Sequence, residues 1–141
     1  MTTSNWALFE VQTEELLGPQ GLERKLLDEI VRQLREKGVE CGRIRPGFEC
    51  LFTHCKMNRS VVVLGILAAK RVSDSSVQCS IHCFNHIPLW KRLFKCPSPE
   101  AFCSGHTLEY MCREVGRMVS SDPRIGRVEW LTREEWSQKA K

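Results

Sequence analysis

The run Val61-Val62-Val63-Leu64-Gly65-Ile66-Leu67-Ala68-Ala69 constrains this chain more than any other stretch. It is the only long uncharged apolar run, closed by Arg59 on one side and Lys70-Arg71 on the other. Three consecutive valines followed by Leu, Ile and Leu favour a strand buried on both faces. At about ten residues the run is roughly half of what an α-helix needs to cross a bilayer, so the expectation is a core strand and no membrane span. The other segments read as elements that pair with this strand or cover it.

Phe48 to Cys55 alternates and leads through Lys56-Met57-Asn58-Arg59 into the central run. Val77, Cys79, Ile81 and Cys83 alternate with Gln78, Ser80 and His82. These patterns predict a three-strand antiparallel meander over 48–55, 60–70 and 77–87, with edge strands at 6–11 and 127–131. Leu22, Leu26, Leu27, Ile30, Val31 and Leu34 form a stripe at helical spacing, and Gly38 suits the C-terminal cap of a helix over 20–37. Ser98-Pro99-Glu100 opens a second long helix over 99–120, whose stripe includes Leu108, Cys112, Val115 and Val119. Thr132-Arg133-Glu134-Glu135 matches a capping box and starts a short final helix through Trp136. The fold class is therefore α+β. It is expected as a single domain over 1–141, a two-layer sandwich close to a ferredoxin-like arrangement with an added strand. The element order is also that of double-stranded-RNA-binding domains, but Ser104 to Glu109 holds no lysine where those domains carry a basic cluster. That likeness stops at element order.

Charge and cysteine content narrow the function classes. Lys and Arg number 21 against 17 Asp and Glu, a net +4, which falls short of the basic footprint of a dedicated nucleic-acid domain. The first third is acidic, and the middle carries Lys56, Arg59, Lys70, Arg71, Lys91, Arg92 and Lys95. Met1 to Trp6 lacks a signal-peptide pattern, so the eight cysteines are expected as free thiols of an intracellular protein, cytoplasmic, nuclear or both.

Zinc is tested first because Cys50, His54 and Cys55 lie close in sequence, as do Cys79, His82, Cys83 and His86. No paired Cys-x2-Cys knuckle is present. On a strand, Cys79 and Cys83 share a face but sit about 13 Å apart, while His82 and Cys83 point to opposite faces. Cys103 and His106 are the pair a helix start would bring together as nucleophile and base, with no evident oxyanion site beside them. Phosphate-loop, dinucleotide, metalloprotease and serine-hydrolase signatures are absent. No catalytic residue, metal or cofactor is assigned, and a thiol- or zinc-dependent activity stands as the third reading.

Binding is favoured over catalysis. His106, Tyr110, Arg113 and Arg117 form a stripe opposite the apolar one on the second helix, with residue types enriched at protein interfaces. Trp90, Lys91, Arg92 and Phe94 interleave aromatic and basic groups. The leading expectation is a non-catalytic protein–protein interaction module, a small adaptor or complex subunit, with homo-oligomers allowed. The alternative is nucleic-acid binding through Lys91, Arg92, Lys95, Arg113, Arg117, Arg124 and Arg127. The doubly apolar central strand adds a further candidate. Its far face must be covered by Leu89-Trp90 and Leu93-Phe94, by Trp130 and Trp136, or by a partner.

Overall fold

The computed structural model describes residues 4–14, 21–57, 60–85 and 105–140. Among them the chain is a mixed α+β structure, an antiparallel eight-stranded sheet with three helices. In chain order the elements are β1 (Trp6–Gln12), α1 (Leu22–Glu36), β2 (Glu40–Cys41), β3 (Arg45–Gly47), β4 (Cys50–Met57), β5 (Ser60–Leu67), β6 (Lys70–Ser73), β7 (Ser76–Asn85), α2 (Gly105–Ser120), β8 (Glu129–Leu131) and α3 (Arg133–Lys139).

The strand order is β2-β4-β5-β7-β1-β8, with β3 also on β4 and β6 also on β7. The central run lies in β5, between β4 and β7, with Val62, Leu64 and Ile66 fully buried on one face and Val63 and Gly65 buried on the other. Its doubly apolar composition thus matches its place in the sheet.

Two strand expectations are corrected. The stretch expected as one strand over 60–70 ends at Leu67, and Lys70 opens β6, which folds back on β7 as a tight hairpin. The first strand is not an edge: β1 lies between β7 and β8, paired from Trp6↔His82 to Gln12↔Ser76 and from Trp6↔Leu131 to Leu8↔Glu129. An interior position is set by partners distant in sequence, which local alternation does not report. The true edges are short. β2 has two residues, β3 carries Pro46, and β8 has three residues, all features that blunt an edge against further pairing.

α1 ends as its sequence dictates. Gly38 has φ +89, the Val39 amide donates to Leu34 O and the Gly38 amide to Arg35 O, which is the Schellman pattern. Leu34 and Val39 are both buried beside this turn. α2 is described from Gly105; residues 99–104 of the predicted second helix lie outside the described residues. Its buried Leu108, Met111, Val115 and Val119 join the α1 stripe and one face of the sheet in a single core cluster. That face carries Ala7, Phe9 and Val11 of β1, Val62, Leu64 and Ile66 of β5, and Val77, Cys79, Ile81 and Cys83 of β7. Trp130 belongs to this side too, because a Cβ on Gly116 of α2 would lie 3.0 Å from its indole nitrogen. Among the described residues no helix is long and apolar enough to cross a membrane.

Candidate functional site: the aromatic face of the sheet

The opposite face of the sheet is built by the alternate residues of the same strands. Directly opposed residues of an antiparallel pair share a face, so the register assembles two rungs across it. The first runs Arg45, Phe52, Gly65, His82, Trp6, Leu131 from β3 to β8. The second runs His54, Val63, Phe84 across β4, β5 and β7. Lys56 and Val61 form the next pair outward.

The rings touch in sequence along these rungs. Trp136 of α3 lies 4.7 Å from Trp6, Trp6 lies 4.9 Å from His82, and His82 stacks on Phe84 at 5.0 Å with 21° between planes. On β4, Phe52 meets His54 edge-on at 5.8 Å. These separations are those of favourable aromatic pairs. Gly65 makes the first rung possible: a Cβ there would sit 2.6 Å from His82 Nε2. The glycine in the middle of an apolar strand therefore leaves space for an imidazole from the neighbouring strand.

Burial along the face is graded. α3 closes the β1 end, where its Thr132–Glu135 capping box starts the helix and Trp136 Nε1 donates to Ser80 Oγ at 2.8 Å. His82 is buried there, Nδ1 has no hydrogen-bond partner among the described residues, and burial pushes the imidazole down to about 4. The ring is neutral at pH 7. Toward β4 the cover thins. Phe52, His54 and Val61 are half-buried, and Phe84 is 39% exposed. Phe48, on the β3–β4 turn, is 91% exposed. Arg45 and Lys56 at the margin are exposed, with Glu40 opposite Lys56.

Of the residues singled out from sequence, those with described side chains fall elsewhere. Trp90, Lys91, Arg92 and Phe94 lie outside the described residues, as do Cys103 and the side chain of His106. Tyr110 is half-buried on α2, while Arg113 and Arg117 are exposed. Arg117 is engaged by Glu114 at 3.5 Å, and Lys37 at the end of α1 reaches the same carboxylate at 2.7 Å. Glu114 is buried, and the Lys37 contact first holds its carboxyl below the usual range. It ties α1 to α2 beneath the predicted stripe. Arg124, of the alternative basic set, is bonded to Asp122 at 3.0 Å. Of the two tryptophans expected to cover the far face of β5, Trp136 does so at the β1 end, and Trp130 does not.

The rungs were legible only as alternation within single strands. Phe52 and His54 alternate on β4, and His82 and Phe84 on β7, but which rows meet depends on register across three strands. The same register separates the Cys and His groups considered for zinc: His54 and His82 lie on the aromatic face, Cys55 and Cys83 on the core face. Among the described residues no group of three or more His, Cys, Asp or Glu is gathered closely enough to hold a metal ion. Comparison with models of protein families, with curated proteins and with solved structures finds no match to this chain.

Proposed function

We propose that this chain is a non-catalytic interaction module, a small adaptor or complex subunit, that docks another protein on the aromatic face of its sheet. The observation carrying this reading is the ladder of rings running from half-buried Trp6 and buried His82 to Phe84, which is 39% exposed. In this reading the fold is a two-layer sandwich. α1 and α2 back one face, and among the described residues only α3 covers part of the other. Aromatic rings at the centre with Arg45 and Lys56 at the margin give the composition of an interface core and rim. The cationic margin favours an acidic partner. Tyr110, Arg113 and Arg117 on α2 supply a second contact surface. Free thiols at the six described cysteines agree with a reducing compartment, cytoplasm or nucleus.

The test is affinity capture from cell extract with the wild-type chain, Phe84→Lys and, as a control on exposed α1, Lys25→Glu. The docking partner is expected to be retained by Lys25→Glu and weakened at least tenfold, about 1.4 kcal/mol, by Phe84→Lys. A partner held equally by Phe84→Lys sinks the assignment of this face.

A second reading rests on the same rings. Aromatic side chains on an open sheet are also platforms for unpaired bases, and Arg45 and Lys56 stand where phosphates would pass. A retardation assay with single-stranded RNA at two salt concentrations separates the two. A shift at low salt that vanishes at high salt and in Phe84→Lys would replace the protein partner by a nucleic acid.

A further inference from the structure

Away from the aromatic face, two cysteines meet across the β2 edge. Cys41 and Cys55 are directly opposed in the β2–β4 register, and their sulfurs are 3.6 Å apart. The Gly42 amide donates to His54 O, so the ladder bond lies beside this pair and not within it. Cys41 and Cys55 therefore occupy a non-hydrogen-bonded position, where opposed Cα atoms approach to about 4.5 Å. That separation falls inside the range a disulfide spans. The strand that would have to move is only two residues long, so closing the sulfurs to about 2.05 Å needs a small shift of the shortest described strand.

The two thiols are unequal in the way a thiol–disulfide exchange needs. Cys41 is half-buried and Cys55 is 1% exposed. The Cys55 contact first, and the charge of Arg35 after it, pull the Cys41 thiol down, while the same contact and burial push Cys55 up. Arg35 is held at this spot by its hydrogen bonds to Cys41 O at 3.1 Å and Gly42 O at 3.4 Å. Cys83 and Cys112 form a second contacting pair, in which the Cys83 contact pulls the Cys112 thiol down, but it joins a strand to a helix, and the charge near Cys112 is Glu109, which opposes a thiolate.

We infer that Cys41 and Cys55 form a reversible dithiol–disulfide site whose oxidising substrate is a low-molecular-weight disulfide such as oxidised glutathione. The Cys41 thiolate attacks one sulfur of that disulfide, its S–S bond breaks, and one thiolate leaves and takes up a proton. Cys55 then loses its proton and attacks Cys41 Sγ, forming the cross-strand S–S bond and releasing the second thiol. Two protein thiols are oxidised and one small disulfide is reduced to two thiols. The product staples β2 to β4.

The test is treatment of the full chain with oxidised glutathione, alkylation of remaining thiols, tryptic digestion and mass mapping. Cleavage after Lys37, Arg43 and Lys56 places Cys41 in peptide 38–43 and Cys55 with Cys50 in peptide 44–56. The expected product is these two peptides joined, lighter than their sum by two hydrogen atoms, separated again by a reductant, retained in Cys50→Ser and lost in Cys41→Ser. Cys41 found only alkylated, only as a glutathione adduct, or joined to any cysteine other than Cys55 overturns the proposal. Fragmentation of the linked wild-type peptides between Cys50 and Cys55 shows which of the two is joined to Cys41, so the result holds even where a variant fails to fold.

Discussion

At the scale of single residues, the contact between Gly65 and His82 is the most demanding in the sheet. A methyl group on Gly65 would overlap the imidazole at 2.6 Å, between two strands that cannot easily part. Gly65→Ala is expected to cost about 1–3 kcal/mol of stability, the usual penalty for overpacking. In a His82→Ala background the same change should cost markedly less, and denaturant unfolding of the four proteins gives that coupling directly. An equal cost in both backgrounds would show that the imidazole is not what Gly65 accommodates. His82 also makes stability depend on pH. Its folded value of about 4 lies below the ordinary 6.5, so the unfolded chain takes up a proton that the folded chain refuses. The contribution is complete above about pH 6.5 and is lost as pH falls toward 4, on the order of 3 kcal/mol across that window. Urea midpoints of wild type and His82→Gln should diverge at pH 7.5 and converge by pH 4.5. Curves that stay parallel would refute a buried neutral imidazole.

Among the elements, those with local rules were legible and those made by pairing were not. α1 could be placed from its stripe and from Gly38, because a left-handed C-terminal residue and a helical period are written in adjacent positions. The capping box of α3 was equally plain, with the Thr132 hydroxyl accepting from the Glu135 amide and Glu135 accepting from the Thr132 amide. β2, β3 and β6 were not, since strands of two to four residues carry no period. Their places come from β4 and β7, which recruit them. The candidate site failed to show for the same reason: its rows cross strands, whereas the stripe of Tyr110, Arg113 and Arg117 lies along one helix and is visible at once. α3 offers a check on how the site is closed. Thr132→Ala should destabilise the helix by about 1 kcal/mol. Because α3 delivers Trp136 onto Trp6 and Ser80, tryptophan fluorescence should shift toward that of solvated indole under conditions where the rest of the far-ultraviolet dichroism is unchanged. Unaltered emission would mean that Trp136 is held without its cap.

For the whole molecule, the sheet draws together distant parts of the chain. β1 is held on one side by β7 and on the other by β8, and Trp6 rests against Trp136. Removing residues 121–141 should therefore leave β1 as a bare edge and uncover Trp6 and His82. The truncated chain is expected to self-associate at concentrations where the full chain is monodisperse, as light scattering would read; a monodisperse truncated chain would count against this. The interior place of β1 also bears on synthesis. β1 leaves the ribosome before β7, and its partners Ser76 to His82 follow only after the intervening chain has been made. At about 5–20 residues per second that delay lasts several seconds. Throughout it Trp6, Leu8, Phe9 and Val11 have no β7 to pair with, so this apolar stretch stays uncovered in the nascent chain until β7 emerges.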